Sequence, residues 1–146
     1  MIEFFVPGIP QPGGSKRAFV NKKTGRAIVT EDNPKSRPWR AVVVDRAVSA
    51  MRGRSPLTGP VWMSVIFYVM RPGSHYGTGR NQGIVKRSAP KAPMVRPDYL
   101  KLTRSTEDAL KGICWKDDSQ VVEAHLYKRY AERPGADIKV TIWPST

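Results

Sequence analysis

Residues 97–122 read PDYLKLTRSTEDALKGICWKDDSQVV. The stretch opens on one acid, Asp98, runs through a helical pattern to Gly112, and returns to the paired acids Asp117 and Asp118. Leu102, Thr106, Ala109 and Leu110 recur at the spacing of one helix face, and Lys101, Arg104, Glu107 and Asp108 take the opposite face. The pattern predicts a helix from Tyr99 to Lys111. Asp98 is expected to cap it by accepting the backbone N–H of Lys101. Gly112 stands where a left-handed residue ends a helix. The short apolar run Ile113 to Trp115 predicts a strand, and Lys116 to Gln120 a polar turn into Val121. Three carboxylates in two turns flanking one helix can converge on a cation. In a chain with 25 Lys and Arg against 12 Asp and Glu, that local acidity needs a reason.

Working outward, the C-terminal side predicts two more strands. Val121 to Tyr130 alternates, with Val122, Ala124, Leu126 and Lys128 on one side and Glu123, His125 and Tyr127 on the other. Ile138, Val140 and Ile142 alternate in a final strand that Pro144 ends. On the N-terminal side, Val61 to Met70 (VWMSVIFYVM) is the longest apolar run and predicts a central strand. Between them, Arg71 to Arg96 is rich in Gly, Pro and basic residues and lacks periodicity, which predicts a mobile basic loop. A helix is expected from Pro38 to Met51, where Trp39, Val42, Val43, Arg46, Ala47 and Ala50 are three and four apart. Ile2 to Val6 predicts the first strand, and Lys-Thr-Gly-Arg around Gly25 predicts a hairpin within 21–30. The expected fold is α+β: one domain, with two main helices and a mixed, mostly antiparallel sheet.

Bulk properties narrow the function classes. A chain of 146 residues is the size of one domain. The net charge of +13 favours a polyanionic partner. No apolar run approaches the length of a membrane span, and the N-terminal MIEFFVPG has no charged segment of a signal peptide, so no membrane partner is expected. The single cysteine, Cys114, suits a reducing cytoplasm and reads as a core thiol. Gly13, Gly14, Ser15 and Lys16 lack the spacing of a phosphate-binding P-loop, so no nucleotide cofactor is expected. Lys16 and Arg17 in that loop, with Arg71, Arg80, Lys86, Arg87, Lys91 and Arg96 downstream, are the candidate DNA-phosphate contacts.

The 97–122 stretch also resembles the signature of the RusA family, Holliday junction resolvases of bacteria and their phages. Pro97 and Asp98, Lys101 and Leu102, the basic Arg104, the run Asp108–Ala109–Leu110, and Asp117, Asp118, Gln120 and Val121 match in order and spacing. Outside it, the match is one of character: an N-terminal strand ending in Pro-Gly-x-Pro, a basic loop and a C-terminal strand. One position departs. Where the family has a second acid two residues after the first, this chain has Leu100, which cannot ligate a metal. Glu107 and Asp108 are the nearest carboxylates to stand in.

The resemblance implies a metal-dependent, structure-selective endonuclease that resolves Holliday junctions or other branched DNA by paired symmetric nicks. It also implies a homodimer, in a bacterial or phage-infected cell. The chemistry suits Mg²⁺, with Mn²⁺ as a substitute, held by hard carboxylate oxygens. Asp98, Asp117 and Asp118, with Asp108 or Glu107, are the candidate ligands, and Arg104 or Lys101 the phosphate contacts. Each has a plainer reading: Asp98 as a helix cap, Asp117 and Asp118 as turn residues, Arg104 paired with Asp108 at i+4. The competing class is a non-catalytic branched-DNA-binding protein with a degenerate site at Leu100. A weaker one is an RNA-binding or nucleic-acid-packaging module.

Overall fold

A computed structural model of the chain describes residues 1–14, 16–31 and 33–144, with the side chains of residues 16, 17, 30 and 31 outside the description. The element order is β1 (Ile2–Pro7), β2 (Lys16–Val20), β3 (Ala27–Glu31), α1 (Ser36–Met51), β4 (Val61–Val69), α2 (Tyr99–Leu110), β5 (Val121–Tyr130) and β6 (Gly135–Ile142). A four-stranded sheet runs β1-β6-β4-β5, and β2 and β3 form a separate hairpin. The β1–β6 and β4–β6 pairs are antiparallel, whereas β4 and β5 are parallel. This is the expected α+β architecture with a mixed, mostly antiparallel sheet. Among the described residues, no helix is long and apolar enough to cross a membrane.

The parallel pair dictates the layout. Two parallel strands need a long crossover between them, and the basic loop and α2 fill it. In β4, Val61, Met63, Val65 and Phe67 are fully buried, while the intervening Trp62, Ser64 and Ile66 are half-exposed on the other face. The buried row joins Trp39, Val43, Ala47 and Met51 of α1, Leu102, Ala109 and Leu110 of α2, and Ala136, Ile138 and Val140 of β6 in one core. A buried polar bond ties the helices together: Trp39 Nε1 donates to Thr106 Oγ1 over 3.3 Å, and that hydroxyl donates to Leu102 O over 2.9 Å.

Several local expectations change. Asp98 stands at the N-cap of α2 but its side chain makes no capping bond; only its carbonyl enters the helix, accepting from Leu102 N at 3.1 Å. Helix α2 ends one residue earlier than expected, at Leu110, and α1 begins earlier, at Ser36. Ile113 to Trp115 is a tight turn rather than a strand. Ile113 N and Cys114 N both donate to Leu110 O, and Gly112 N donates to Trp115 O over 2.6 Å. Gly112 makes this possible at φ 82°. The run is apolar because Cys114 and Trp115 plug the core under the end of α2, both fully buried. Burial also pushes the Cys114 thiol up to about 11, which keeps it a neutral core group. Val122 leaves the inner face of β5. The register slips between the pairs Val61↔Val121 and Trp62↔Glu123, so Val122 is the extra residue of a bulge and is 56% exposed.

The basic segment 71–96 lacks long elements but is tied at its base. The Arg71 guanidinium sits 4.3 Å over the Tyr130 ring, donates to Pro90 O at 2.7 Å, and meets His75 Nδ1 at 3.2 Å. Further along, Lys86 N donates to His75 O and Gly77 N to Ile84 O.

The two leucines at the start of α2 separate packing from surface. Leu102 is fully buried and Leu100 is 58% exposed. Leu102→Ala is expected to cost about 2–5 kcal/mol, whereas Leu100→Ala should stay within about 0.5 kcal/mol of the parent. Urea unfolding of the two variants measures both.

Candidate active site

The face of α2 turned toward β5 carries Leu100, Thr103, Arg104 and Glu107, at the i, i+3, i+4, i+7 spacing of one helix stripe. Opposite it run Val121 to Leu126. Together they line an open groove of about 430 Å³ along the outer strand of the sheet. The crossover explains the placement. With Leu102, Thr106 and Leu110 buried, the neighbouring stripe must lie over β5.

Asp118 enters beside this groove from the turn before β5. The buried indole of Trp115 donates Nε1–H to Asp118 Oδ1 over 2.9 Å. The turn is locked by Gln120. Its Oε1 accepts from the backbone N–H groups of Lys116 and Asp117 at 2.8 and 3.0 Å. Its Nε2 donates to Leu57 O and Gly59 O at 2.9 and 3.0 Å. The Asp117–Asp118 pair is thereby fastened to the segment leading into β4.

The electrostatics single out Glu107. Its carboxyl is held above the ordinary glutamate range, first by burial and then by the negative charges of Asp118 and Asp108, with Arg104 pulling the other way. The charges of Asp118 and Asp108 thus both oppose ionisation of Glu107. Asp117 behaves differently: its Oδ1 accepts the Ser119 backbone N–H over 2.9 Å. That bond, the Ser119 hydroxyl and the charge of Lys111 lower its pKa.

The expected ligand set is thus rearranged. The convergence of Asp98, Asp117 and Asp118 on one cation is not present: among the described residues, no three carboxylate, histidine or cysteine side chains gather into a metal-holding group. Asp98 begins α2, and the helical rise puts it about 13 Å along the axis from Glu107. Asp117 is turned back onto Ser119. Asp108 faces away, 3.9 Å from Arg40. The Arg104–Asp108 pair weighed from the sequence is replaced by a different contact, in which the Arg104 side chain lies against Gly14. Lys101 is exposed, and its carbonyl accepts from Gly13 N at 2.9 Å.

Of the candidate phosphate contacts, Arg80, Lys86, Arg87, Lys91 and Arg96 are exposed on the basic segment. Arg71 is engaged in holding the base of that segment. Lys16 and Arg17 lie on β2, with their side chains outside the described residues. Sequence reasoning missed Trp115, whose signal was an indole three residues before an acid, and the pinning role of Gln120. The two histidines make local contacts. His75 packs edge-on against Tyr130 at 5.5 Å, and His125 Nε2 lies 2.8 Å from Glu123.

Comparison with known proteins places the chain in a family. The chain is 29% identical over 139 residues to an uncharacterised Bacillus subtilis (strain 168) protein, YqaN, an alignment covering 95% of this chain and 94% of that one. The family model described as endodeoxyribonuclease RusA matches residues 7–141, a span that includes every element from α1 to β5, the groove and the Asp117–Asp118 turn, and the chain therefore belongs to the RusA endodeoxyribonuclease family.

Proposed function

We propose that this chain is a divalent-metal-dependent endonuclease that resolves four-way junctions or related branched DNA, acting as a two-fold homodimer that makes paired symmetric nicks. The observation that carries the reading is the open groove that Arg104 and Glu107 line, with Asp118 held beside it by Trp115, in a chain with net charge +13. Membership of an endodeoxyribonuclease family supports it.

The donor chemistry fits a hard cation. Mg²⁺ is commonly held by one or two carboxylates, with waters and substrate phosphate completing its shell. Glu107 and Asp118 would hold it, with Mn²⁺ as a substitute, and Asp98 and Asp117 would add negative field. Bound there, the ion would supply a water nucleophile at neutral pH and neutralise charge developing on the scissile phosphate. The chain supplies the rest. Trp115 keeps Asp118 aimed by its N–H bond. Arg104, one turn from Glu107 on the same stripe, presents its fork of N–H groups to the phosphate oxygens. Lys101 takes a neighbouring phosphate. The exposed Arg80, Lys86, Arg87, Lys91 and Arg96 grip the arms of the junction through backbone charge. Two sites related by a two-fold axis match the two strands that must be cut.

One observation favours a second reading. Leu100 occupies the groove where the family carries an acid, and a protein with this groove could bind branched DNA without cutting it. Incubating a synthetic four-way junction with the protein and Mg²⁺ separates the two: symmetric nicks support the nuclease, and tight binding without nicks establishes the binding protein.

Three outcomes are expected. Glu107→Gln and Asp118→Asn should each abolish Mg²⁺-dependent nicking while junction binding, read by gel shift, survives or tightens as repulsion from phosphate falls. Leu100→Asp should restore a carboxylate to the groove and raise the nicking rate.

The raised pKa of Glu107 gives a second signature. A carboxyl with a folded pKa above its unfolded value favours the folded state at low pH, and that contribution is lost as pH rises through the folded pKa. At neutral pH without metal, ionised Glu107 therefore destabilises the protein. Glu107→Gln should raise the urea midpoint at pH 7 and leave it unchanged well below the ordinary carboxyl pKa of about 4.3, where both states are protonated. Added Mg²⁺ should raise the Tm of the parent and not that of Glu107→Gln.

The third outcome concerns the basic segment. Replacing Lys86, Arg87 and Lys91 together with glutamine should weaken junction binding and reduce the slope of log affinity against log salt by about 2.7. Circular dichroism should show the fold intact.

A further inference from the structure

The Pro- and Gly-rich loop after β1 is clasped onto α2. Gly13 N donates to Lys101 O over 2.9 Å, and the buried Ser105 hydroxyl donates to Gln11 O over 2.6 Å. On its other side, Asn33 Nδ2 donates to Pro12 O over 3.1 Å and to Gln11 Oε1 over 3.3 Å. Lys101 and Ser105 flank Arg104 on the helix, so these bonds bring the loop against the Arg104 side chain, at Cδ and the guanidinium. The point of crossing is Gly14, at φ +85°. A Cβ built there would collide with Arg104 Cδ and lie 2.5 Å from Nη1 and 3.0 Å from Nε. The Arg104 side chain therefore runs through the space that any side chain at position 14 would fill.

We propose that Gly14 is a positioning residue for the nuclease site: the loop of residues 10–14 and α2 together form a channel, open only because Gly14 has no side chain, that directs the Arg104 guanidinium along the groove toward Glu107 and the bound phosphate. The inference rests on the nuclease reading in taking Arg104 as the phosphate contact. It goes beyond that reading in giving the N-terminal loop, remote in sequence, control over where that charge is placed. An arginine side chain has several rotatable bonds, and at an exposed helix position it samples many rotamers. A channel that removes most of them presents the charge at one place, which is what transition-state stabilisation requires.

The test is a double-mutant cycle. Gly14→Ala forces Arg104 out of the channel, and single-turnover nicking of a four-way junction should slow by about 10²-fold with junction affinity retained. In the Arg104→Ala background the same substitution has no side chain to displace, so it should cost nothing further. Gly53→Ala is the control for backbone strain. Gly53 has φ +74° with nothing within 4 Å of its Cβ, so that variant should lose stability and keep the parent's nicking rate. Should Gly14→Ala fold poorly, Ser105→Ala loosens the loop from α2 by deleting one hydroxyl and should slow nicking in the same Arg104-dependent way. A readout independent of cleavage separates this inference from the nuclease reading: the Arg104 Nε–Hε NMR resonance should shift in Gly14→Ala or Ser105→Ala and stay put in Gly53→Ala. A parent protein that does not nick would sink the nuclease reading alone, and the resonance would still decide the channel. Equal losses with and without Arg104, or an unmoved resonance, would overturn the proposal.

Discussion

Parallel pairing of β4 with β5 is the constraint on which this molecule is built. Antiparallel neighbours can be joined by two residues, whereas parallel ones force the chain to travel back across the sheet. Here that return path carries the basic segment and α2. Because α2 must bury Leu102, Thr106, Ala109 and Leu110, its orientation about its own axis is set. The stripe beside the buried one, with Arg104 and Glu107, is left facing β5. The turn after α2 must then bring the chain into register with β4, which delivers Asp118 to the same place. The groove is a by-product of a connection rule and a hydrophobic face.

Placing Glu107 there opposes folding. Its carboxyl is partly desolvated and lies near two like charges, and both effects raise its pKa. Two other acids are satisfied instead. Asp117 is satisfied by Ser119, and Glu123 accepts from His125 and from the Trp143 indole at 2.8 and 2.9 Å, which lowers its pKa. A carboxylate perturbed by burial together with specific like charges is a candidate for a functional site. Asp118 shows the complementary feature, a buried indole whose bond gives its carboxylate one orientation.

The arginines divide into two kinds. Arg71 stacks on Tyr130 and bonds to Pro90, and Arg54 donates to the C-terminal carbonyls of α1, Met51 O at 2.9 Å and Ala50 O at 3.1 Å. These use the planar guanidinium to fasten backbone. Arg80, Arg87 and Arg96 stand exposed on the segment between β4 and α2, where their charge is available to a polyanion. Net charge alone does not distinguish the two uses. Arg104 sits between them, exposed at the groove yet with its Cδ and guanidinium against Gly14.

The sequence by itself determined much of the fold. Periodicity marked both helices and strands β1, β4, β5 and β6, because each element buries one face and the burial pattern is written locally. It marked the α+β class for the same reason, while composition and charge marked the basic segment and the acidic turn. What it could not decide was which residues meet. Ile113 to Trp115 is apolar like a strand, but Cys114 and Trp115 plug the core from a turn, and apolarity records burial without recording backbone shape. Val122 fits the alternation of β5, but a bulge set by the partner strand moves it outward. Spacing suggested that Asp98, Asp117 and Asp118 would converge. Only the packed helix showed that about two and a half turns of rigid backbone hold Asp98 away from Glu107 while the return of the chain sets Asp118 against the Trp115 indole. The contact between Gly14 and Arg104 joins residues 90 apart in number. It was decided by tertiary structure, since nothing local to either residue refers to the other.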